Sequence, residues 1–298
     1  MKRRILRGIG IVISSLVFLA GCACIVWPLA ATRVQEFQTE QVIEQFQEIA
    51  LPSQMEGAEP SNQALLSDME QYNQSIYEEG QSGLCDAWSY QKPSFDLTAY
   101  GLETDLFGYI EIPAMDSKLP IYLGATSENM KKGAVHLSQT SLPIGGENTN
   151  CVLAAHRGYR GIPFWRDIEK IAIGDEVLVT NLWEQLTYQV TEIQIIYPNE
   201  TDQILIQEGR DMLTLITCHP YGGHGKYRYV VYCERVTEER EQEIQETPTL
   251  LLPTNEVFIS SEKQIQLEET LQKAGFILMD VLFLGGSINL LCKRRKRR

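Results

Sequence analysis

Histidine is scarce: the 298 residues contain His136, His156, His219 and His224 and no others, and no HxxxH spacing. None of the seven cysteines forms a CxxC pair either. Zinc sites are commonly built from such spacings, so neither a metal nor any other cofactor is expected. Cys218, His219 and His224 could share an ion, but the set lacks a fourth ligand. Cys22, Cys24 and Cys292 lie in apolar stretches, and the spacing of Cys85, Cys151, Cys218 and Cys233 suggests no disulfide. A free, reactive thiol is the better reading for at least one of them. Positive charge is also lacking over most of the chain. Ten of the 26 Lys and Arg sit in the two terminal segments, leaving sixteen basic against thirty-eight acidic residues between them, about −22. Such a surface does not bind nucleic acid without a local basic patch. Its plain reading is a solvated acidic face; the alternative is attraction to a lysine-bearing protein.

Long apolar runs occur at the two ends. Residues 8–32 carry no charge and are long enough to cross about 30 Å of hydrocarbon as a helix. Residues 274–292 form a second run, followed at once by the basic tail 293–298. Lys2, Arg3, Arg4 and Arg7 flank the first run. By the positive-inside rule, both termini (1–7 and 293–298) are expected in the cytoplasm, with everything between the two spans outside the cell membrane. Asp280 and Asn289 weaken the second span, since an acid near a helix centre costs about 2.5–3.5 kcal/mol on insertion scales; the alternative is an amphipathic surface helix. At the first, Leu19-Ala20-Gly21-Cys22 also fits a lipoprotein cleavage box, although the chain stays apolar beyond Cys22.

Between the spans the pattern changes twice. Residues 33–81 are rich in Gln and Glu, with Val42, Phe46 and Ile49 as a sparse apolar stripe, and read as a helical arm broken by Pro52 and Pro60. A segment at 82–98 precedes the main domain, 99–236. There, short β-rich runs at 108–112, 120–123, 151–155, 176–180, 186–197, 212–218 and 227–236 alternate with Gly, Pro and Asn, which predicts an all-β barrel or sandwich. Residues 237–273 are acidic, contain Pro248 and Pro253, and read as a linker.

The chemistry concentrates at the end of one predicted strand, Leu213-Thr214-Leu215-Ile216-Thr217-Cys218. A thiol is a strong nucleophile only as thiolate, and at an ordinary pKa roughly 3% is ionised at pH 7, so a catalytic cysteine needs a base or cation beside it. His156 ends another predicted strand and can handle protons. Arg228 never gives up its proton, so it suits an oxygen that becomes negative in a tetrahedral intermediate. Each has a plainer reading: an inert core cysteine, a hydrogen-bonded strand-end histidine, a surface arginine. Arg235 is a second candidate cation farther along the same strand.

These residues resemble the sortases, the cysteine transpeptidases of Gram-positive cell surfaces, whose signature is a TLxTC strand end followed within about a dozen residues by a strand-borne arginine. The likeness runs from about residue 104 to 236. It includes Phe107-Gly108-Tyr109-Ile110-Glu111-Ile112-Pro113, Leu119-Pro120-Ile121-Tyr122-Leu123-Gly124, Thr140-Ser141-Leu142-Pro143-Ile144-Gly145-Gly146 and Ala155-His156-Arg157-Gly158. The last two look like segments of the class C, pilin-polymerising branch. Leu84-Cys85-Asp86-Ala87-Trp88 resembles that branch's lid, with Ala87 in place of a proline. Two further departures are His224 near a loop position that often holds asparagine, and a Cys218–Arg228 interval about one residue longer than usual.

The resemblance implies a mainly β fold, a closed eight-stranded barrel with short helices, carried with the helical arm between two transmembrane helices. It implies Cys218 as nucleophile, His156 as acid–base, Arg228 as oxyanion partner, Thr217 as a substrate contact, and Asp86 and Trp88 as lid anchors, Asp86 pairing with Arg228. His136 is expected to be structural. The implied reaction cleaves an LPxTG-type signal of a pilin or surface protein between Thr and Gly, and passes the acyl group to a pilin lysine. Transfer to a peptidoglycan cross-bridge and a non-catalytic surface scaffold are the alternatives.

Overall fold

Among the described residues ten strands follow one another: β1 (Leu106–Ile112), β2 (Ser117–Leu123), β3 (Ala134–His136), β4 (Thr149–Ala154), β5 (Arg157–Tyr159), β6 (Ile162–Phe164), β7 (Glu176–Thr180), β8 (Gln185–Ile196), β9 (Asp211–His219) and β10 (Tyr227–Arg235). The computed structural model describes residues 2–54, 63–102, 104–223, 225–237 and 259–295. Eight strands close a barrel in the order β1-β2-β3-β4-β9-β10-β8-β7, and β5 with β6 forms a separate two-stranded ribbon.

Within the barrel, pairing is antiparallel except for β2 with β3 and β4 with β9, which run parallel. The second exception places the site, because parallel neighbours end on the same side of the barrel. Ala154 pairs with Ile216, so the residues leaving β4 and β9 emerge side by side. The alternation expected of 186–197 breaks between Val190 and Ile193, and again at the end of the strand, where Ile195 and Ile196 are both buried. Leu186, Tyr188 and Val190 are buried, then Ile193 and Ile195, and the β8–β10 register shifts between Tyr232 and Cys233. The extra residue is a bulge, which lets one long strand keep apolar side chains inward while it bends around the barrel. β1 and β7 approach so closely that a Cβ on Gly108 would lie 2.2 Å from the Thr180 carbonyl oxygen. No other residue type fits there without moving a strand.

The arm expected at 33–81 is helical: α1 (Lys2–Gln54) and α2 (Gln63–Glu79). Its apolar face does not stand in solvent. Ile43, Phe46 and Ala50 of α1 and Leu65 and Met69 of α2 share one buried cluster with Phe107, Tyr109 and Leu123 of the barrel. Burying a side chain such as Phe46 contributes about 1.5–3 kcal/mol. Asn73 adds a polar tie, its Oδ1 accepting from the Leu142 backbone N–H at 2.7 Å.

The chain divides into two units, Met1–Val34 with Arg160–Ile162 and Ser261–Arg298, and Gln35–Tyr159 with Pro163–Ser260. The first holds the opening part of α1 and a helix α3 (Glu262–Arg295), so the last third of the expected linker is helical. Among the described residues no helix is long and apolar enough to cross a membrane. The two expected spans, 8–32 and 274–292, fall on stretches where many side chains lie outside the described residues, as do 238–258 of the linker.

Candidate active site

Cys218 is the penultimate residue of β9, and in the antiparallel pairing with β10 it stands directly opposite Arg228. Opposed residues project on the same face, so thiol and guanidinium are neighbours by register. Arg228 Nη1 lies 3.8 Å from Cys218 Sγ and donates to the Gly225 carbonyl at 2.7 Å and the Tyr227 carbonyl at 3.0 Å. Gly225 has φ +71°, and a Cβ there would sit 3.0 Å from Nη1 and 3.2 Å from Sγ. The turn between β9 and β10 thus stays open over the thiol because its residue has no side chain.

His156 reaches the same place from β4. The Ala155 N–H donates to the Ile216 carbonyl at 3.2 Å, extending the parallel register by one residue. One further step sets His156 beside Cys218. Its ring is stacked on Tyr159, with centroids 4.7 Å apart and planes 12° apart, and meets the Phe164 ring at 6.2 Å. Neither aromatic was picked out by sequence reasoning; each sits on the short β5–β6 ribbon, which no period-2 pattern announces.

The segment resembling a lid occupies this cleft. Asp86 caps a single 3-10 turn, Ala87–Ser89, its Oδ2 accepting from the Trp88 N–H at 3.2 Å. The same carboxylate takes Arg228 in a fork, Nε to Oδ1 at 2.6 Å and Nη2 to Oδ2 at 2.7 Å. Trp88 lies against the guanidinium, 4.4 Å from ring centre to Cζ, and 6.3 Å from the His156 ring. Ala87, in the place of a proline, is buried in a cluster with Val152, Ile216 and Val230.

Burial in this closed arrangement favours the uncharged forms of thiol and imidazole. Burial pushes the Cys218 thiol up to about 11; the Arg228 charge opposes this, Asp86 adds to it and Arg157 lowers it. Burial, helped by the Lys131 charge, holds His156 below the ordinary imidazole range. With the lid shut, the pair is thiol and neutral imidazole. Releasing Asp86 removes one contribution against the thiolate.

Thr217 does not meet its expected role as a substrate contact. It is fully buried, and its hydroxyl donates to the Ala155 carbonyl at 2.7 Å. Adjacent strand residues face opposite ways, so when Cys218 points into the cleft Thr217 points away from it. It fastens the strand that delivers His156 to the strand that delivers Cys218. His136 is buried in β3, with Nε2 donating to the Thr140 and Ser141 carbonyls at 3.2 and 3.0 Å, and burial lowers its pKa to about 4.

The same alternation turns His219 away from the thiol, with Nδ1 at 2.8 Å from Arg157 Nη1, so Cys218 and His219 do not converge on one ion. His224 lies outside the described residues. Arg235, the rival cation, is seven residues beyond Arg228, roughly 23 Å along the strand, where it faces Glu184 at 3.5 Å and the Tyr188 ring.

Comparisons with known proteins agree with this geometry. A model of the sortase domain matches residues 110–236. Sortase D of Bacillus subtilis is 30% identical over 132 residues, which cover 44% of this chain and 64% of that protein, just under two thirds of its length. Sortase C1 of GBS pilus island 1 superposes with a TM-score of 0.58 at 30% identity, covering 65% of this chain and 96% of that one. Sortase C of Streptococcus pneumoniae gives 0.52 at 32% identity, over 66% and 97%. With an eight-stranded barrel of this order, a cysteine and an arginine opposed at its rim and near-complete coverage of class C structures, the chain belongs to the sortase family of cysteine transpeptidases.

Proposed function

We propose that this chain cleaves an LPxTG-type sorting signal and transfers the acyl group to a lysine amine of a pilin subunit. The observation that carries the reading is the Asp86 fork on Arg228, with Arg228 itself 3.8 Å from the Cys218 sulfur. A site plugged by its own carboxylate and indole needs a ligand able to displace both. An extended peptide whose carbonyl oxygen takes over Arg228 meets that need. The solved relatives point the same way, one belonging to a pilus island and another bearing on pilin substrate specificity.

In this reading the lid swings out, the Cys218 proton passes to His156, and the resulting thiolate attacks the threonine carbonyl carbon. The carbonyl π electrons move to oxygen, and Arg228 donates to the resulting oxyanion. Collapse breaks the C–N bond, the glycine amine departs with a proton from His156, and a thioester remains on Sγ. The lysine amine then attacks the thioester, His156 accepts its proton, and the thiolate leaves as the isopeptide forms. The stacked Tyr159 keeps the His156 ring in one plane through both transfers. The apolar runs 8–32 and 274–292 with their basic ends hold the domain at the outer face of the cell membrane.

The test is a product analysis. Full-length protein in detergent is given a sorting-signal peptide and, in parallel, a lysine-bearing pilin peptide or a peptidoglycan cross-bridge peptide. An isopeptide on the lysine side chain is expected. A product on the cross-bridge amine alone would assign the enzyme to wall anchoring, and no cleavage at all would refute the transpeptidase reading.

A further inference from the structure

Each of the three site residues is followed in the chain by a member of a second cluster. Arg157 follows His156, His219 follows Cys218 and Tyr229 follows Arg228. A one-residue step on a strand reverses the side-chain direction, so the register that gathers the first three also gathers the second three behind them. Arg157 is 5% exposed. Its Nη1 is 2.8 Å from His219 Nδ1, its Nη2 forms an ion pair with Glu169, and its Nε donates to the Arg166 carbonyl at 3.4 Å. The guanidinium lies 5.7 Å from the Tyr229 ring centre, and that ring is 5.7 Å from the His219 ring.

Arginine only donates, so His219 Nδ1 accepts and carries no proton there. Burial and the Arg157 charge lower the His219 pKa to about 4, with Glu169 pulling the other way. The imidazole is therefore neutral at working pH, and the cluster holds one cation and one anion, Arg157 and Glu169.

We propose that Arg157 is a positioning residue for the transpeptidation: from behind the cleft it ties the chain at His156 to the end of β9, and its charge, offset by Glu169, biases Cys218 toward thiolate. The inference rests on the reading of Cys218 as nucleophile. Four groups bear on the thiol from the elements around it: Arg228 from β10, Asp86 from the lid turn, His156 at the end of β4, and Arg157 from β5. Arg228 and Arg157 favour the anion, Asp86 opposes it, and His156 is held toward its neutral form. Arg157 alone among these is anchored on the far face, where a substrate entering the cleft does not displace it.

A purely structural cluster and an electrostatic one give different signs. Iodoacetamide labelling of Cys218 is followed against pH in the full chain, read on the Cys218 peptide by mass spectrometry. Arg157→Gln is expected to move the labelling midpoint up and Glu169→Gln to move it down. Each shift should be about half a pH unit or more, roughly threefold in rate below the midpoint. Arg157→Lys keeps the charge without the fork, so it should leave the midpoint near the parent value while lowering kcat and sparing KM. Shifts of the same sign in the two glutamine variants, or none, would overturn the proposal. If Arg157→Gln does not fold, the direction of the Glu169→Gln shift decides alone. A parent enzyme that cleaves no sorting signal overturns the transpeptidase reading instead, whatever the midpoints do.

Discussion

Replacing Asp86 and Trp88 together by alanine tests whether the cleft is closed at rest. The double change removes two hydrogen bonds to a cation, at 2.6 and 2.7 Å, and the indole 4.4 Å from the same guanidinium. Gross contributions of that kind, less the entropy of holding the segment, leave about 2–3 kcal/mol for closure. That corresponds to an open fraction of about 0.6–3%. If only open molecules react, a small alkylating reagent should modify Cys218 up to about 30- to 160-fold faster in the variant. The Cys218 thiol also ionises more readily once the Asp86 charge is gone, which adds in the same direction. The assay is the labelling rate of the Cys218 peptide at one pH in parent and variant, alongside sorting-signal cleavage with unchanged sequence preference. Equal labelling rates would mean that the carboxylate fork does not gate the thiol, and the reasoning from closure would fail.

Arg228→Lys keeps the charge but not the planar fork, so turnover should fall by at least about tenfold; near-parent activity would leave Arg228 only a bulk electrostatic part. Gly225→Ala places a methyl 3.0 Å from Arg228 Nη1 and 3.2 Å from Cys218 Sγ at φ +71°. It should lower kcat while the melting temperature drops little, and unchanged kcat would show that the turn relaxes freely. Acid should weaken the fold through His136, whose folded-state pKa of about 4 lies below the ordinary imidazole value. Between the two values the unfolded chain binds the extra proton, so stability is full above about pH 6.5 and declines down to about pH 4, by about 3 kcal/mol at most. Urea midpoints at the two pH values should therefore draw closer in His136→Gln, the buried His219 keeping a slope of its own, and an unaltered pH slope would remove His136 from the explanation.

The long strands were legible because each carries a strong β-rich run: the expected 176–180 is β7, and 212–218 lies within β9. Ala134–His136 was not, since three residues are too few for a period, and β3 exists because β2 and β4 pair with it on either side. The arm is helical in α1 and α2, and its buried face keeps Phe46 of the expected stripe but adds Ile43 and Ala50, while Val42 is half-buried. A sparse stripe does not say which residues find a partner until the partner is in place. Cys218, His156, Arg228 and Asp86 were named from motif resemblance; register brings the first three to one cleft, and Asp86 joins them from the lid turn through its fork on Arg228. Thr217 was misread because the motif names residue types without the facing that alternation imposes. Arg157, Tyr159, Phe164 and Gly225 acquire their places only through strand register and the β5–β6 ribbon, which no local pattern encodes.

The central claim is that Cys218 becomes acylated by the carbonyl carbon of a sorting-signal threonine. Intact-mass and peptide-mapping analysis of full-length protein, quenched in acid after brief exposure to an LPxTG peptide, measures this directly. A mass gain equal to the peptide's acyl part on the Cys218 peptide, absent in Cys218→Ala, is the predicted result. An adduct on Cys85, Cys151 or Cys233, or cleavage that persists in Cys218→Ala, would contradict the account.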